Sequence, residues 1–142
     1  MRFRFATVRE AHFFGVLRRS LDGKPIYVTN REKTLLDAAA RPDLSGGIIQ
    51  LAQALQAAHS DINWTRLDDY LARWGGGVVV KRLGYLLETL ALPIPDRKMR
   101  TGRWLSMLKA GISPLEPGMG TDGPTVTRWQ VRVNVDINQF KR

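Results

Sequence analysis

Apolar and polar positions alternate at both ends of the chain and follow a helical period through its middle. Arg2-Phe3-Arg4-Phe5-Ala6-Thr7-Val8 places Phe3, Phe5 and Thr7 on one side of an extended segment and the two arginines on the other, the mark of a half-buried strand. Phe13 to Leu17 is a second short apolar run, and Lys24 to Val28 reads as a strand after the Asp22-Gly23 turn, so a hairpin over that turn is expected. Thr29 and Glu32 have the spacing of a capping box, which predicts a helix over 30–40 with Leu35, Leu36 and Ala39 as its apolar stripe, closed by Arg41-Pro42. Ser45 is then expected to cap a helix facing inward through Ile48, Leu51, Ala52, Leu55 and Ala58. Asn63 caps another through Trp64, Leu67, Leu71 and Trp74, and the glycines at 75–77 stop it.

The stretch from Val78 to Glu88 is the centre of this arrangement. Its apolar residues Val79, Leu83, Leu86, Leu87 and Leu90 keep helical spacing, and the run is too long and leucine-rich for a strand. Gly84 inside it costs about 1 kcal/mol relative to alanine, which predicts close approach of another element. Beyond Pro93 and Pro95, Thr101 is expected to cap a short helix through Trp104, Leu105 and Leu108, and 113–124, with its prolines and glycines, to be a loop. Thr125 to Val135 alternates throughout and predicts one strand with Trp129, Val131, Val133 and Val135 inward. Terminal strands around a helical block predict an α+β fold, with one small sheet of N- and C-terminal strands packed on four to five helices.

A chain of 142 residues with 44% apolar content can bury a core as one domain without cross-links, and no cysteine is present to make them. Residues 1–8 offer no continuous apolar segment and no run of about 18 apolar residues exists, so a soluble, cytoplasmic chain without membrane contact is expected. The net charge of +9 points to an anionic partner. It is uneven: residues 1–30 carry six Arg/Lys against two acids, 31–96 seven against eight, and 97–142 nine against three.

Enzyme signatures are scarce. The segment from Gly75 to Lys81 lacks the Gly-Lys-Ser/Thr ending of a phosphate loop, and His12 and His59 belong to no ligand cluster and read as surface or helix-end residues. Glu32, Asp37 and Glu88 are the carboxylates that a small metal-dependent nuclease or phosphoryl-transfer enzyme would use if they met around the central helix. Ion pairing, with Lys81 or Arg82 as partners for Glu88, is the structural alternative. Asp68-Asp69 reads as a solvated helix face. No catalytic residue, metal ligand or cofactor is therefore assigned. The basic residues make the stronger case: Arg2, Arg4, Arg128 and Arg132 would emerge together if their strands share a sheet, and Lys98, Arg100 and Arg103 would extend that surface toward nucleic acid or an acidic protein.

Lys81-Arg82-Leu83-Gly84-Tyr85-Leu86-Leu87-Glu88 resembles the signature of the AbiEi family, the antitoxin and transcriptional regulator of bacterial AbiE-type abortive-infection systems. Three further segments resemble that family in the same order: Val28 to Asp37 with Glu32, Thr34 and Asp37; Pro42 to Gly47; and Leu115-Glu116-Pro117 followed by Trp129 and Val133-Asn134-Val135. The resemblance spans most of the chain. It implies a C-terminal antitoxin domain over 1–142, counteracting a nucleotidyltransferase toxin without a stable complex and, in full-length relatives, assisting autorepression of the operon on DNA. Family members usually begin with a winged helix-turn-helix, and none precedes Met1. The chain is thus expected to be a fragment of a longer protein or to act with a separate DNA-binding chain. A nucleic-acid-binding module unrelated to toxin control is the remaining alternative.

Overall fold

The computed structural model describes residues 10–140. The expected strand from Arg2 to Val8 lies outside the described residues. Among those described, the fold is α+β: five α-helices form a block, and short strands at either end of it make a two-stranded and a three-stranded sheet. The N- and C-terminal strands described thus do not share one sheet.

The first sheet is the expected hairpin, β1 (Val16–Leu21) and β2 (Lys24–Thr29), antiparallel from Val16 opposite Thr29 to Leu21 opposite Lys24. Asp22 and Gly23 both take positive φ, which bends the chain with the twist of the flanking strands. Helix α1 (Arg31–Ala40) follows. Its cap is Asn30, whose Oδ1 accepts from the Lys33 amide at 2.9 Å, and not Thr29. The capping box fails because its glutamate has a better use: Glu32 is buried and accepts from the Asn63 amide at 3.1 Å and from Arg66 at 3.4 Å. The Thr29 hydroxyl instead meets that of Thr34 at 2.7 Å.

Helix α2 (Ile48–Ala58) starts after Gly47, two residues later than a Ser45 cap would have it. Ser45 ends the short 3-10 turn Pro42–Leu44, and the cap comes from far away in sequence: the Glu116 carboxylate accepts from the Ile48 amide at 3.2 Å. Helix α3 (Trp64–Trp74) has the expected Asn63 cap, and Gly75 closes it in the left-handed region at φ 95°. Helix α4 (Val78–Thr89) is the hub, buried at every position from Val79 to Leu87. A helix covered on all sides must be ringed by other elements. Helix α5 (Arg97–Leu105) begins before Thr101, whose hydroxyl donates to the Arg97 carbonyl inside the helix and does not cap it.

The C-terminal part departs most from the expected pattern. In place of one strand over 125–135 there is a hairpin, β4 (Thr125–Val126) and β5 (Val131–Arg132), with β3 (Ser113–Pro114), from within the expected loop, added parallel to β5. The chain reverses over 127–130, where Gln130 takes φ 55° and its amide bonds the Thr127 carbonyl. This reversal lets Trp129 pack onto α4, buried against Gly84 with its indole N–H on Glu88.

Candidate functional site

The four motif segments meet around α4. Gly84 faces the Trp129 ring so closely that a Cβ there would lie 2.5 Å from the indole Cε3 and Cη2. Its missing side chain is therefore a packing requirement. One turn on, Glu88 receives the Trp129 Nε1–H at 2.5 Å and the Arg128 Nε–H at 2.9 Å. On other sides of the helix, Lys81 donates to the Gly111 carbonyl at 2.5 Å and reaches the Ser113 hydroxyl at 3.3 Å. Arg82 donates to the carbonyls of Pro114 (3.0 Å) and Ala39 (2.8 Å), tying β3 and the end of α1 to the hub. Tyr85 is buried in the same core. Thr34 donates to the Asn30 carbonyl, and Asp37 pairs with the buried Lys33 at 2.7 Å.

The electrostatics follow from this burial. Desolvation lowers the pKa of Lys81, and that of Arg82 against the opposing pull of Glu116 and Asp43. Desolvation raises the Glu116 carboxyl, only partly opposed by the Ile48 amide and Arg82. Burial also pushes the Glu88 carboxyl upward, but the hydrogen bonds from Arg128 and Trp129, with the charges of Arg128 and Arg97, outweigh it and hold Glu88 below the ordinary value. The folded chain then binds this proton more weakly than the unfolded one. Its contribution is full above the unfolded pKa and lost as pH falls through the lower folded value. The stability gap between wild type and Glu88→Gln, from urea midpoints between about pH 7 and about pH 3, should be largest near neutrality and shrink on acidification. A gap independent of pH would show that the charge of Glu88 is irrelevant.

The three acids that a nuclease would need do not converge. Glu32 is tied to Asn63 and Arg66, Asp37 to Lys33, and Glu88 to Arg128, not to Lys81 or Arg82. Among the described residues no group of three or more His, Cys, Asp or Glu is placed to hold a metal ion. His12 stacks on Trp74 at the end of α3, and His59 Nδ1 lies 2.9 Å from the Gln56 carbonyl at the end of α2. Both are helix-end residues, as expected.

The basic surface is also rearranged. Arg2 and Arg4 lie outside the described residues. Arg100, expected on that surface, is buried: its guanidinium grips the Asp68 carboxylate at 3.0 and 3.1 Å and also donates to the Pro95 carbonyl. Asp68 takes the Trp104 Nε1–H at 2.7 Å as well, so it is no part of a solvated face. Arg128 sits in the β4–β5 turn and is engaged by Glu88, while Arg132 is half-buried and donates to the Gly123 carbonyl at 3.0 Å. Lys98 and Arg103 remain exposed on α5.

Sequence reasoning missed the cations of the β1–β2 hairpin. Arg18, Arg19 and Lys24 are exposed, and none belongs to an ion pair among the described residues. The signal was present as basic residues flanking a predicted two-residue turn. No helix among the described residues is long and apolar enough to cross a membrane. No family model matches the chain and no solved structure matches it, so the AbiEi resemblance rests on the motif residues themselves.

Proposed function

We propose that this chain is the antitoxin domain of an AbiE-type phage-defence pair, a cytoplasmic, non-enzymatic module that counteracts a nucleotidyltransferase toxin and contacts DNA. The observation that supports this reading is the mutual contact of the segments that resemble the family. Gly84 and Glu88 of one hold Arg128-Trp129 of another, Glu116 of the last caps the helix that follows Gly47, and Arg82 reaches the end of the helix carrying Glu32, Thr34 and Asp37. Segments scattered over a chain need to keep their residue types together when those residues complete one another's packing and hydrogen bonds. Their role in this reading is to build the scaffold, which leaves partner contacts to the exposed cations.

The test is coexpression with a cognate AbiE-type nucleotidyltransferase toxin. Restored growth of toxin-expressing cells is the expected result. Failure to restore growth at full expression of folded protein would overturn the antitoxin reading.

A further inference from the structure

The β1–β2 hairpin is exposed along nearly its whole length: only Val16, Ile26 and Thr29 reach even partial burial. A two-stranded ribbon with neither face packed is marginal on its own, so a partner on it would add stability where the domain supplies little. Side-chain alternation separates Arg18 and Tyr27, cross-strand partners on one face, from Arg19 and Lys24 on the other. Arg19 lies opposite Ile26 and Lys24 opposite Leu21, which makes the two cations diagonal neighbours about 7–8 Å apart. Among the described residues no carboxylate pairs with either, and the hairpin's single acid, Asp22, is in its turn. Most other cations near the core spend their charge internally, as Lys33, Arg82, Arg100 and Arg128 do.

We propose that this hairpin is a DNA-binding ribbon that enters the major groove of duplex DNA, Arg18 meeting the phosphates of one wall and Arg19 and Lys24 those of the other. The inference rests on the reading above that the domain contacts DNA, and it assigns the surface. A pleated ribbon with its side chains is about 10 Å thick and the major groove about 12 Å wide, so cations on both faces can be satisfied at once. Single strands are a poorer fit because the ribbon offers one exposed aromatic, Tyr27, where single-strand sites use successive stacking platforms. Duplex RNA is poorer still, since side chains cannot read its deep, narrow major groove.

The deciding measurement is fluorescence anisotropy of the full chain with a labelled duplex of about 20 base pairs at salt concentrations from about 50 to about 200 mM. Each phosphate contact contributes about 0.9 to the slope of log K against log salt, so Arg18→Ala/Arg19→Ala/Lys24→Ala should lower its magnitude by about 2.7. Lys98→Ala/Arg103→Ala should leave the slope unchanged. A Lys24→Glu variant, at an exposed position, provides the same reading should the triple variant fold poorly. An unchanged slope in the triple and Lys24→Glu variants, tighter binding to a single strand, or loss caused by the α5 pair instead would overturn the ribbon. Growth rescue with the same variants separates the two readings. Wild type that binds duplex with the expected slope yet fails to rescue defeats the antitoxin reading and leaves the ribbon standing. Rescue together with an unchanged triple-variant slope does the reverse.

Discussion

Replacing Asp68 by alanine is expected to destabilise the fold by about 3–5 kcal/mol, the cost of stranding a buried charge by removing its partner. Asp68 and Arg100 are each 7% exposed at the side chain. The carboxylate joins α3 to α5 through both oxygens to Arg100 and through Oδ1 to Trp104, and the Arg100 guanidinium lies 5.8 Å from the Trp64 ring. Without it the guanidinium keeps its desolvation cost and the indole N–H loses its acceptor. Urea denaturation at constant m-value gives the loss directly. The double variant Asp68→Leu/Arg100→Met should be closer to wild type than Asp68→Ala, because removing both charges removes the uncompensated one. A loss below about 1 kcal/mol for Asp68→Ala would show the pair to be solvated.

Gly84→Leu is the second substitution with a large expected effect. Leucine improves helix propensity by nearly 1 kcal/mol, but overpacking a filled core costs about 1–3 kcal/mol and occasionally more. The cost wins here because Trp129 is almost fully buried and its ring is held from the far side by the bond to Glu88, so it cannot swing away cheaply. Even Gly84→Ala should destabilise. The sign should reverse in a Trp129→Ala background: there Gly84→Ala has empty space to fill and should recover roughly 1 kcal/mol of helix propensity. Melting experiments on the four proteins of this cycle decide it, and a stabilising Gly84→Ala in the wild-type background would contradict the close approach.

The same contact shows what a linear pattern can express. A mid-helix glycine among leucines announces a neighbour, so the close approach at Gly84 was legible. Which neighbour was not, because Trp129 reaches it only through a reversal at 127–130 that lacks glycine, asparagine and proline. The alternation of Trp129, Val131, Val133 and Val135 with polar residues concealed that turn. Asp68, expected on a solvated face, carried an overlooked signal: it stands between Leu67 and Leu71 on the apolar side of α3, where a charge requires a buried partner.

What the sequence determined by itself is the set of elements governed by interactions within a few residues. The Asp22-Gly23 turn, the stripes of α1 to α4, the Asn63 cap and the Gly75 stop follow from local φ preference, side-chain period and capping, which read the same wherever the segment sits. The tertiary structure decided every question of competing partners. It gave Glu32 to Asn63 instead of to its own helix, Glu116 to the start of α2, Glu88 to Arg128, and Arg100 to Asp68, thereby separating the cations engaged within the fold from those left exposed on the hairpin and on α5. A charged side chain goes to whichever long-range partner best repays its desolvation, and that choice depends on distances in the folded chain that spacing along the sequence does not encode.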